Sequence, residues 1–254
     1  MKPSVSNPYL ELATSAGDTI KVLRSAHPRA RRLRLTVTSG GARVSYPQGT
    51  HPAQVFAFLR QHADWLERKL SEFKRASSGP PRLKPGLTTL IPLRGETTRL
   101  QWRSGTYPRV HLQDDHLMLC LPTPHDHRSL IAARALLHGF LHAQISRDVS
   151  RYIARYTGCL GRAPNGLRIK PLKSLWGSLD TRNWITLDLS LALAPLSVLR
   201  YVVAHEMCHL RVRDHSRRFW SQVETVYGDW ETQRDWLSEN GIALKAELNR
   251  LIKN

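Results

Sequence analysis

Alternating apolar and polar residues predict that the first half of the chain is mostly β-structure. Short runs rich in β-branched and aromatic residues are separated by turn residues, including Ser39-Gly40-Gly41 and Asp114-Asp115, which are typical of hairpins. The predicted strands are residues 18–24, 32–38, 42–46, 88–93, 97–103, 108–112 and 116–121.

One amphipathic helix is predicted within this β-rich half. Apolar residues recur near the helical period from Val55 to Leu70, and the pattern continues to about Lys74. Thr50 is the predicted N-cap, and Pro52 suits the first turn of a helix. The run Ser-Ser-Gly-Pro-Pro at residues 77–81 ends the pattern.

From about residue 128 the period changes to that of helices. A long helix is predicted, with Gly158 and Gly161 at its end. The elements predicted after it are strands at 167–171 and 184–189, a possible third strand at 174–179, a helix up to about residue 209 and a C-terminal helix at 239–252. This order predicts an α+β fold with a β-rich region at 1–127, containing one helix, and a second region at 128–254 with a long helix and a small antiparallel sheet.

The most informative motif is HEMCH at residues 205–209. It follows an apolar run that begins near Ser197, the predicted N-cap of a buried helix. Residues four apart lie on one face of a helix, so His205 and His209 direct two imidazoles at one point. Glu206, on the adjacent flank, can reach water activated by a metal without ligating the metal. The motif therefore predicts a zinc site with a general base beside it.

The candidate third ligand is His215, six residues beyond the motif. The spacing equals that of metzincins, but Val212 stands where they have a glycine, so the backbone must return by a different turn. Glu224 or Glu231 is the alternative third ligand. Three protein ligands leave a fourth position open, as catalysis requires. Cys208 is about 100° from His209 around the helix and is predicted to point away from the metal.

Two other features, a second histidine pair and the segment at 176–178, can be interpreted either as functional or as purely structural. His138 and His142 share a helix face, but no carboxylate or cysteine accompanies them, which favours packing or exposure over a second metal pair. The segment containing Trp176, Gly177 and Ser178 is a candidate edge strand for binding an extended peptide, and Gly177 permits close backbone approach. The alternative is that these three residues only form a turn and pack.

Composition describes an ordinary globular protein. The 254 residues are 41% hydrophobic and 23% charged, enough for one sizeable core or two modest ones. No apolar run approaches the roughly 18 residues of a membrane span, and the N-terminus lacks the apolar region of a secretory signal. Three widely separated cysteines suit a reducing compartment. The cytoplasm is the predicted location.

The chain is strongly basic. Its 38 basic and 20 acidic residues give a formal net charge of +18, which favours polyanions such as nucleic acid, nucleotides or acidic peptides. The arginine runs RSAHPRARRLR and RVRDHSRR concentrate this charge locally. The alternative is that the basic residues only solvate the surface. No paired CxxC finger and no RNP signature is present.

The second half of the chain also resembles the YgjP-like metallopeptidase family, relatives of the SprT-like zinc proteases. The resemblance lies in Trp176-Gly177-Ser178, the strand at 185–187, Pro195, the run from Tyr201 to His209, and His215-Ser216 with Phe219-Trp220. It extends over most of residues 20–240 and implies a zincin-like second half, with both regions forming one compact unit. It implies that His205, His209 and His215 bind one zinc ion and that Glu206 is the catalytic base. Leu179 and Asp188 replace a cysteine and an asparagine common in the family.

Three functions remain open from the sequence. The first is zinc-dependent hydrolysis of a peptide or protein substrate with Glu206 as general base. The second is hydrolysis of a nucleotide or another phosphoanhydride at the same metal, although such chemistry more often uses carboxylates with magnesium or paired metals. The third is a nucleic-acid-binding module with structural zinc, which gives Glu206 no purpose.

Overall fold

The computed structural model describes residues 8–13, 19–28, 30–38, 41–77, 83–122 and 127–253, which form a mixed α+β fold. The chain divides into two compact units, Met1–Gly79 and Pro80–Asn254. The predicted hairpin residues Ser39-Gly40 and most of the predicted helix break at 77–81 lie outside the described residues.

The first unit is a four-stranded sheet covered on one face by two helices. The strand order is β1-β2-β4-β3, in which the β2–β4 pair is parallel and the two outer pairs are antiparallel. Its core joins the inward face of the sheet, including Val22 and Val44, to Val55, Leu59 and Leu66 of the helices. The elements are β1 (Tyr9–Ala13), β2 (Thr19–His27), β3 (Arg34–Thr38), β4 (Gly41–Pro47), α1 (Pro52–Gln61) and α2 (Ala63–Ser77).

The single helix predicted here is two helices that meet at His62. The imidazole Nδ1 of His62 lies 2.9 Å from the carbonyl oxygen of Phe58, and its backbone leaves the helical conformation. The predicted cap at Thr50 is wrong. Thr50 donates its hydroxyl to the Pro47 carbonyl, whereas the side chain of His51 accepts the amide of Ala53 and caps α1.

The second unit begins with a sheet of the same topology. Its strand order is β5-β6-β8-β7, again with a central parallel pair between two antiparallel pairs. The sequence shows no repeat, yet the chain builds this four-strand arrangement twice, each time followed by helix. The strands are β5 (Leu90–Leu93), β6 (Glu96–Ser104), β7 (Arg109–Gln113) and β8 (His116–Leu121).

The rest of the second unit is helical, apart from a three-stranded sheet ordered β10-β11-β9. This sheet is mixed: β10 and β11 are antiparallel, as predicted, but β11 and β9 are parallel, so the prediction of a purely antiparallel sheet is wrong. The elements are α3 (His127–Leu160), β9 (Gly166–Lys170), β10 (Gly177–Leu179), β11 (Trp184–Asp188), a 3₁₀ turn (Leu189–Ala192), α4 (Leu196–Cys208), α5 (Arg217–Tyr227) and α6 (Glu231–Ile252).

Three predicted helix boundaries differ from the structure. Pro195, not Ser197, is the N-cap of α4, and no side chain caps that end. Gly158 lies inside α3, whereas Gly161, with a φ of 64°, follows its last residue. The C-terminal helix begins at Glu231, eight residues before its predicted start. None of the described helices is both long and apolar enough to cross a membrane.

The β5–β6 turn is joined to the helical part of the second unit. The amides of Arg94 and Gly95 donate to the carbonyls of Ala192 and Leu193, 3.0 and 2.8 Å away. These bonds fasten the second sheet to the segment that leads into α4. The buried residues of β5, β6 and β8 accordingly belong to the same core as those of α3, α4 and α6.

We expect Gly95→Ala to destabilise the second unit. Gly95 has a φ of 85°, and an added Cβ would lie 2.8 Å from Cγ and 2.9 Å from Cα of Pro195. Gly228→Ala is the matched control, because its φ is 95° but no atom lies within 4 Å. Backbone strain should lower the free energy of unfolding of both variants by about 1–3 kcal/mol. The clash with Pro195 should lower that of Gly95→Ala by about 1–3 kcal/mol more. Denaturant unfolding measures both. Equal losses would contradict the packing role of Gly95.

Candidate metal centre

Helix α4 carries the HExxH residues on a backbone that is buried on nearly every side. Val198, Leu199, Val202, Val203 and Met207 are each no more than 3% exposed. A helix that is apolar all round belongs in a protein interior. The helix ends at Cys208 and His209 occupies the C-cap position, so both imidazoles lie where the buried helix reaches a cleft.

A short turn and α5 bring the third histidine to the first two. The amides of Arg211 and Val212 both donate to the Cys208 carbonyl, which closes the turn, and a side-chain oxygen of Asp214 accepts the amide of Ser216 at the start of α5. His215 lies between these contacts. The chain therefore returns to the site by a turn that has Val212 where metzincins have a glycine.

The imidazoles of His205, His209 and His215 converge. One ring nitrogen from each lies within 4.8 Å of the other two, and the Nε2 atoms of His205 and His215 are 3.0 Å apart. Among the residues that the structure describes, this is the group of His, Cys, Asp and Glu side chains arranged to hold a metal ion.

The donor set fits a zinc ion. The Nδ1 of His209 lies 2.9 Å from the Val212 carbonyl oxygen. A carbonyl can only accept, so Nδ1 carries the proton and Nε2 keeps its lone pair for a metal. Three nitrogen ligands that leave a position open toward a cleft are typical of catalytic zinc.

Aromatic side chains of α5 hold the imidazoles in place. The ring of Phe219 stacks on His209 at a centroid distance of 4.4 Å and meets His205 edge-on at 4.8 Å. Trp220 lies 5.7 Å from both His205 and His215 and stacks on Trp230 at 4.2 Å. The FW pair therefore packs against all three histidines.

Burial keeps the two α4 imidazoles neutral. Burial first, and then the neighbouring His209 and His215, lower the pKa of His205 to about 3. Burial also lowers the pKa of His209, which the hydrogen bond to Val212 partly opposes. Neutral imidazoles at physiological pH are the form that binds metal.

Glu206 lies beside the histidines in a dry environment. Its side chain is 5% exposed and its Oε2 has no hydrogen-bond partner in the described structure. Burial raises the pKa of Glu206 to about 8, far above the 4.5 of an ordinary glutamate. A carboxyl group poised near neutrality can accept and return a proton.

Strand β10 lies directly against Glu206. A Cβ on Gly177 would be 2.6 Å from Oε1 and 2.7 Å from Cγ of Glu206. Only glycine leaves room for the carboxyl group there. The strand and the glutamate are therefore fitted to each other.

A cleft of about 580 Å³ opens over the histidines. One wall is β10 and the residues before it, the floor is α4, and α6 supplies the far side. The lining of the cleft is mostly apolar, with two cationic side chains, Arg213 and Arg234. Among the described residues, Glu206 is the one carboxylate that lines the cleft. The lining consists of Leu175, Trp176, Gly177, Ser178, Leu179, Tyr201, Val202, His205, Glu206, His209, Arg213, His215, Arg234, Leu237 and Ser238.

A buried ion pair holds the β10 wall in position. Lys245 of α6 donates to the carboxylate of Asp188, and to the carbonyls of Leu172 and Leu175, both 3.0 Å away. The ammonium group also lies 4.2 Å from the ring centroid of Trp176. The second oxygen of Asp188 accepts the amide and hydroxyl of Ser190. Burial lowers the pKa of Lys245, which Asp188 opposes.

The structure brings together all seven residues predicted for the site: His205, Glu206, His209, His215, Trp176, Gly177 and Ser178. The alternative ligands Glu224 and Glu231 are outside the histidine group. Cys208 is fully buried in the core. His138 and His142 stack at 6.5 Å on α3, away from this group.

The sequence did not identify the contribution of α6. Arg234, Leu237 and Ser238 line the cleft, and Lys245 holds its wall. Lys245 is 57 residues from Asp188, so no local spacing signals their contact. Asp188 stands where the family often has an asparagine, and its buried carboxylate binds Lys245 and Ser190.

Comparisons with known proteins identify the family of the chain. The family model described as YgjP-like, metallopeptidase domain, matches residues 31–240. A crystal structure of the metallopeptidase zymogen of abylysin from Pyrococcus abyssi is 26% identical, with a TM-score of 0.33, over 35% of this chain and 90% of that one. No curated protein matches significantly. Because the family match spans most of the sequence, the chain belongs to the YgjP-like metallopeptidase family, whose members are metal-dependent hydrolases.

Proposed function

We propose that this protein is a zinc-dependent peptidase with a zincin-like catalytic unit, in which His205, His209 and His215 hold one zinc ion and Glu206 is the general base. The observation that carries the proposal is the convergence of three ring nitrogens within 4.8 Å of one another, beside a buried carboxyl group. A structural zinc site would need a fourth ligand, and the described residues offer none.

A zinc ion bound there supplies Lewis acidity, which acidifies water and polarises a substrate carbonyl. Glu206 takes the proton of the water that attacks the peptide carbon. Its unpartnered Oε2 is available for that proton, and the apolar surroundings make it a stronger base than an exposed glutamate. As the carbon–nitrogen bond breaks, Glu206 gives the proton to the leaving amine.

The substrate binds along β10. This strand pairs with β11 on one side and is an edge of its sheet among the described strands. An extended peptide can add to such an edge through backbone hydrogen bonds. Trp176, Gly177 and Ser178 all line the cleft, so a peptide on this edge passes the histidines. The apolar residues of the wall then accept a large apolar side chain next to the bond that is cut.

We expect Glu206→Gln to keep zinc and to lose hydrolysis, because the amide cannot take a proton from water. The loss in kcat should be about 10²–10⁴-fold. His209→Ala should lose both the metal and the activity, and His142→Ala, which changes an exposed histidine of α3, should lose neither. Metal content by elemental analysis and turnover of a peptide panel measure these outcomes.

A nucleotide panel run on the same proteins tests the alternative substrate. Full peptide turnover by Glu206→Gln would contradict the role of the base. Phosphate release from a nucleotide, without any peptide cleavage, would replace the peptidase by a phosphohydrolase at the same metal.

Gly177→Ala should reduce hydrolysis while zinc is retained. The new Cβ would displace the Glu206 carboxyl group, with which it would overlap, and a misplacement of about 1 Å can cost about 10²-fold in rate. Gly139→Ala is the control for the same change, since no atom lies within 4 Å of its added Cβ. Unchanged kcat/KM in Gly177→Ala would show that β10 does not constrain the base.

The buried Glu206 should also lower the stability of the metal-free protein as pH rises. Its pKa is raised to about 8 from 4.5, so between these values the folded state binds a proton that the unfolded state has lost. The free energy of unfolding therefore falls with pH in that window, by at most about 1.4 kcal/mol per unit. Gln cannot titrate, so the free energy of unfolding of Glu206→Gln lacks this fall. The stability of Glu206→Gln relative to the parent should therefore rise as pH increases from about 5 to about 8.

Urea unfolding of chelator-treated protein measures this difference. Glu224→Gln, at an exposed glutamate of α5, is the control. A constant gap between parent and Glu206→Gln across this pH window would contradict the raised pKa.

A further inference from the structure

The first unit holds none of the metal-binding histidines, and its sheet has one face that the helices leave uncovered. Side chains alternate across a strand. Leu12, Val22 and Val44 point into the core with α1 and α2. The side chains that alternate with these core residues along the strands therefore form the open face. They are Tyr9, Glu11, Lys21, Leu23, Ser25, His27, Arg34, Thr36, Arg43 and Ser45.

Three cations cross this face in a diagonal line. Arg34 of β3 pairs with Ser45 and lies two residues from Arg43 of β4 in register. Arg43 in turn pairs with Leu23, two residues from Lys21 of β2. Diagonal neighbours of this kind are about 7–8 Å apart. All three side chains are exposed, and among the described residues they make no ion pair.

Most of the acidic residues described in this unit lie off the open face. Asp64, Glu67 and Glu72 all lie on α2, and Glu11 is the one carboxylate described on the open face, where it stands opposite Lys21 in register. Exposed Arg31 and Arg32 extend the positive charge past β3, at the edge of the sheet. Solubility alone does not require cations to collect on one face, because helix α2 of the same unit carries both acidic and basic residues. The face is therefore a concentrated positive surface.

We propose that this open sheet face binds single-stranded nucleic acid. The cation line suits a chain of phosphates, and the hydroxyls of Ser25 and Ser45, which lie beside it in register, can donate to phosphate oxygens. Tyr9 is 45% exposed and pairs with Leu23 in the next strand, which gives an unstacked base an aromatic surface to stack on. A duplex hides its bases from such a surface, so the single strand is the better ligand.

The test is binding of the full-length protein to a fluorescently labelled single-stranded oligonucleotide of about 20 nucleotides, with salt varied from about 50 to 200 mM. Neutralising the line with Lys21→Gln, Arg34→Gln and Arg43→Gln together should weaken binding by about 10-fold or more and reduce the slope of log affinity against log salt by about 2.

The matched control is Arg60→Gln, Arg68→Gln and Arg147→Gln, which removes the same charge from exposed helical positions. It should change affinity by less than about 3-fold. Arg34→Lys with Arg43→Lys keeps the charge and should retain binding. Tyr9→Ala should weaken binding by about 5-fold or more while leaving the salt slope unchanged, because stacking involves no counterion.

Four results would overturn the proposal: no binding by the parent at about 50 mM salt, equal losses in the two triple variants, tighter binding of a duplex of the same sequence, or displacement of the oligonucleotide by polyglutamate as readily as by unlabelled oligonucleotide. The last result would assign the face to an acidic protein. Before binding is measured, the thermal unfolding midpoint of each variant is compared with that of the parent, to show that the variant is folded.

Discussion

The geometry of the candidate site depends on the burial of α4. This helix is apolar on nearly every side and shares one core with α3, the β5–β8 sheet and α6. A helix fixed in this way cannot rotate, so the direction of its last turn is set by packing far from the chemistry. His205, Glu206 and His209 leave that turn together, and only the short segment to α5 is needed to add His215. The convergence of the three histidines is thus a consequence of core packing, completed by one turn.

The same burial sets the protonation of the site and lowers its stability. It keeps the imidazoles of His205 and His209 neutral and holds the pKa of Glu206 near 8. A carboxyl group without a partner costs folding free energy when it ionises. By contrast, the buried Asp188 is fully hydrogen-bonded by Lys245, Ser190 and the Leu172 amide. Asp188 and Lys245, which hold the wall of the cleft, have hydrogen-bond partners. Glu206, the proposed general base, has an Oε2 atom without one among the described residues.

The sequence predicted what depends on local spacing and missed what depends on tertiary contacts. The pair at His205 and His209 follows from helical geometry, and most strands and the long helix follow from their period. The break at His62 was missed because apolar residues keep the helical period across it. The parallel pairing of β9 with β11 and the doubled sheet topology have no local signal, and neither has the contact between Lys245 and Asp188. The motif and the family resemblance indicated the site residues but not the contacts that hold them.

The formal charge of +18 has different meanings in the two units. In the cleft, Arg234 is paired with Asp235, and Arg213 donates to the Asp180 carbonyl and the Asn183 side chain. These cations are engaged by the protein and shape the rim of an apolar cleft. On the open sheet of the first unit, Lys21, Arg34 and Arg43 stand in a line, and Glu11, opposite Lys21, is the one described carboxylate on that face. One carboxylate does not balance three cations, so this face attracts an external anion. A net charge therefore indicates a polyanion partner only where the structure leaves its cations unpaired and adjacent, and in this chain that place is separate from the core that holds the histidines.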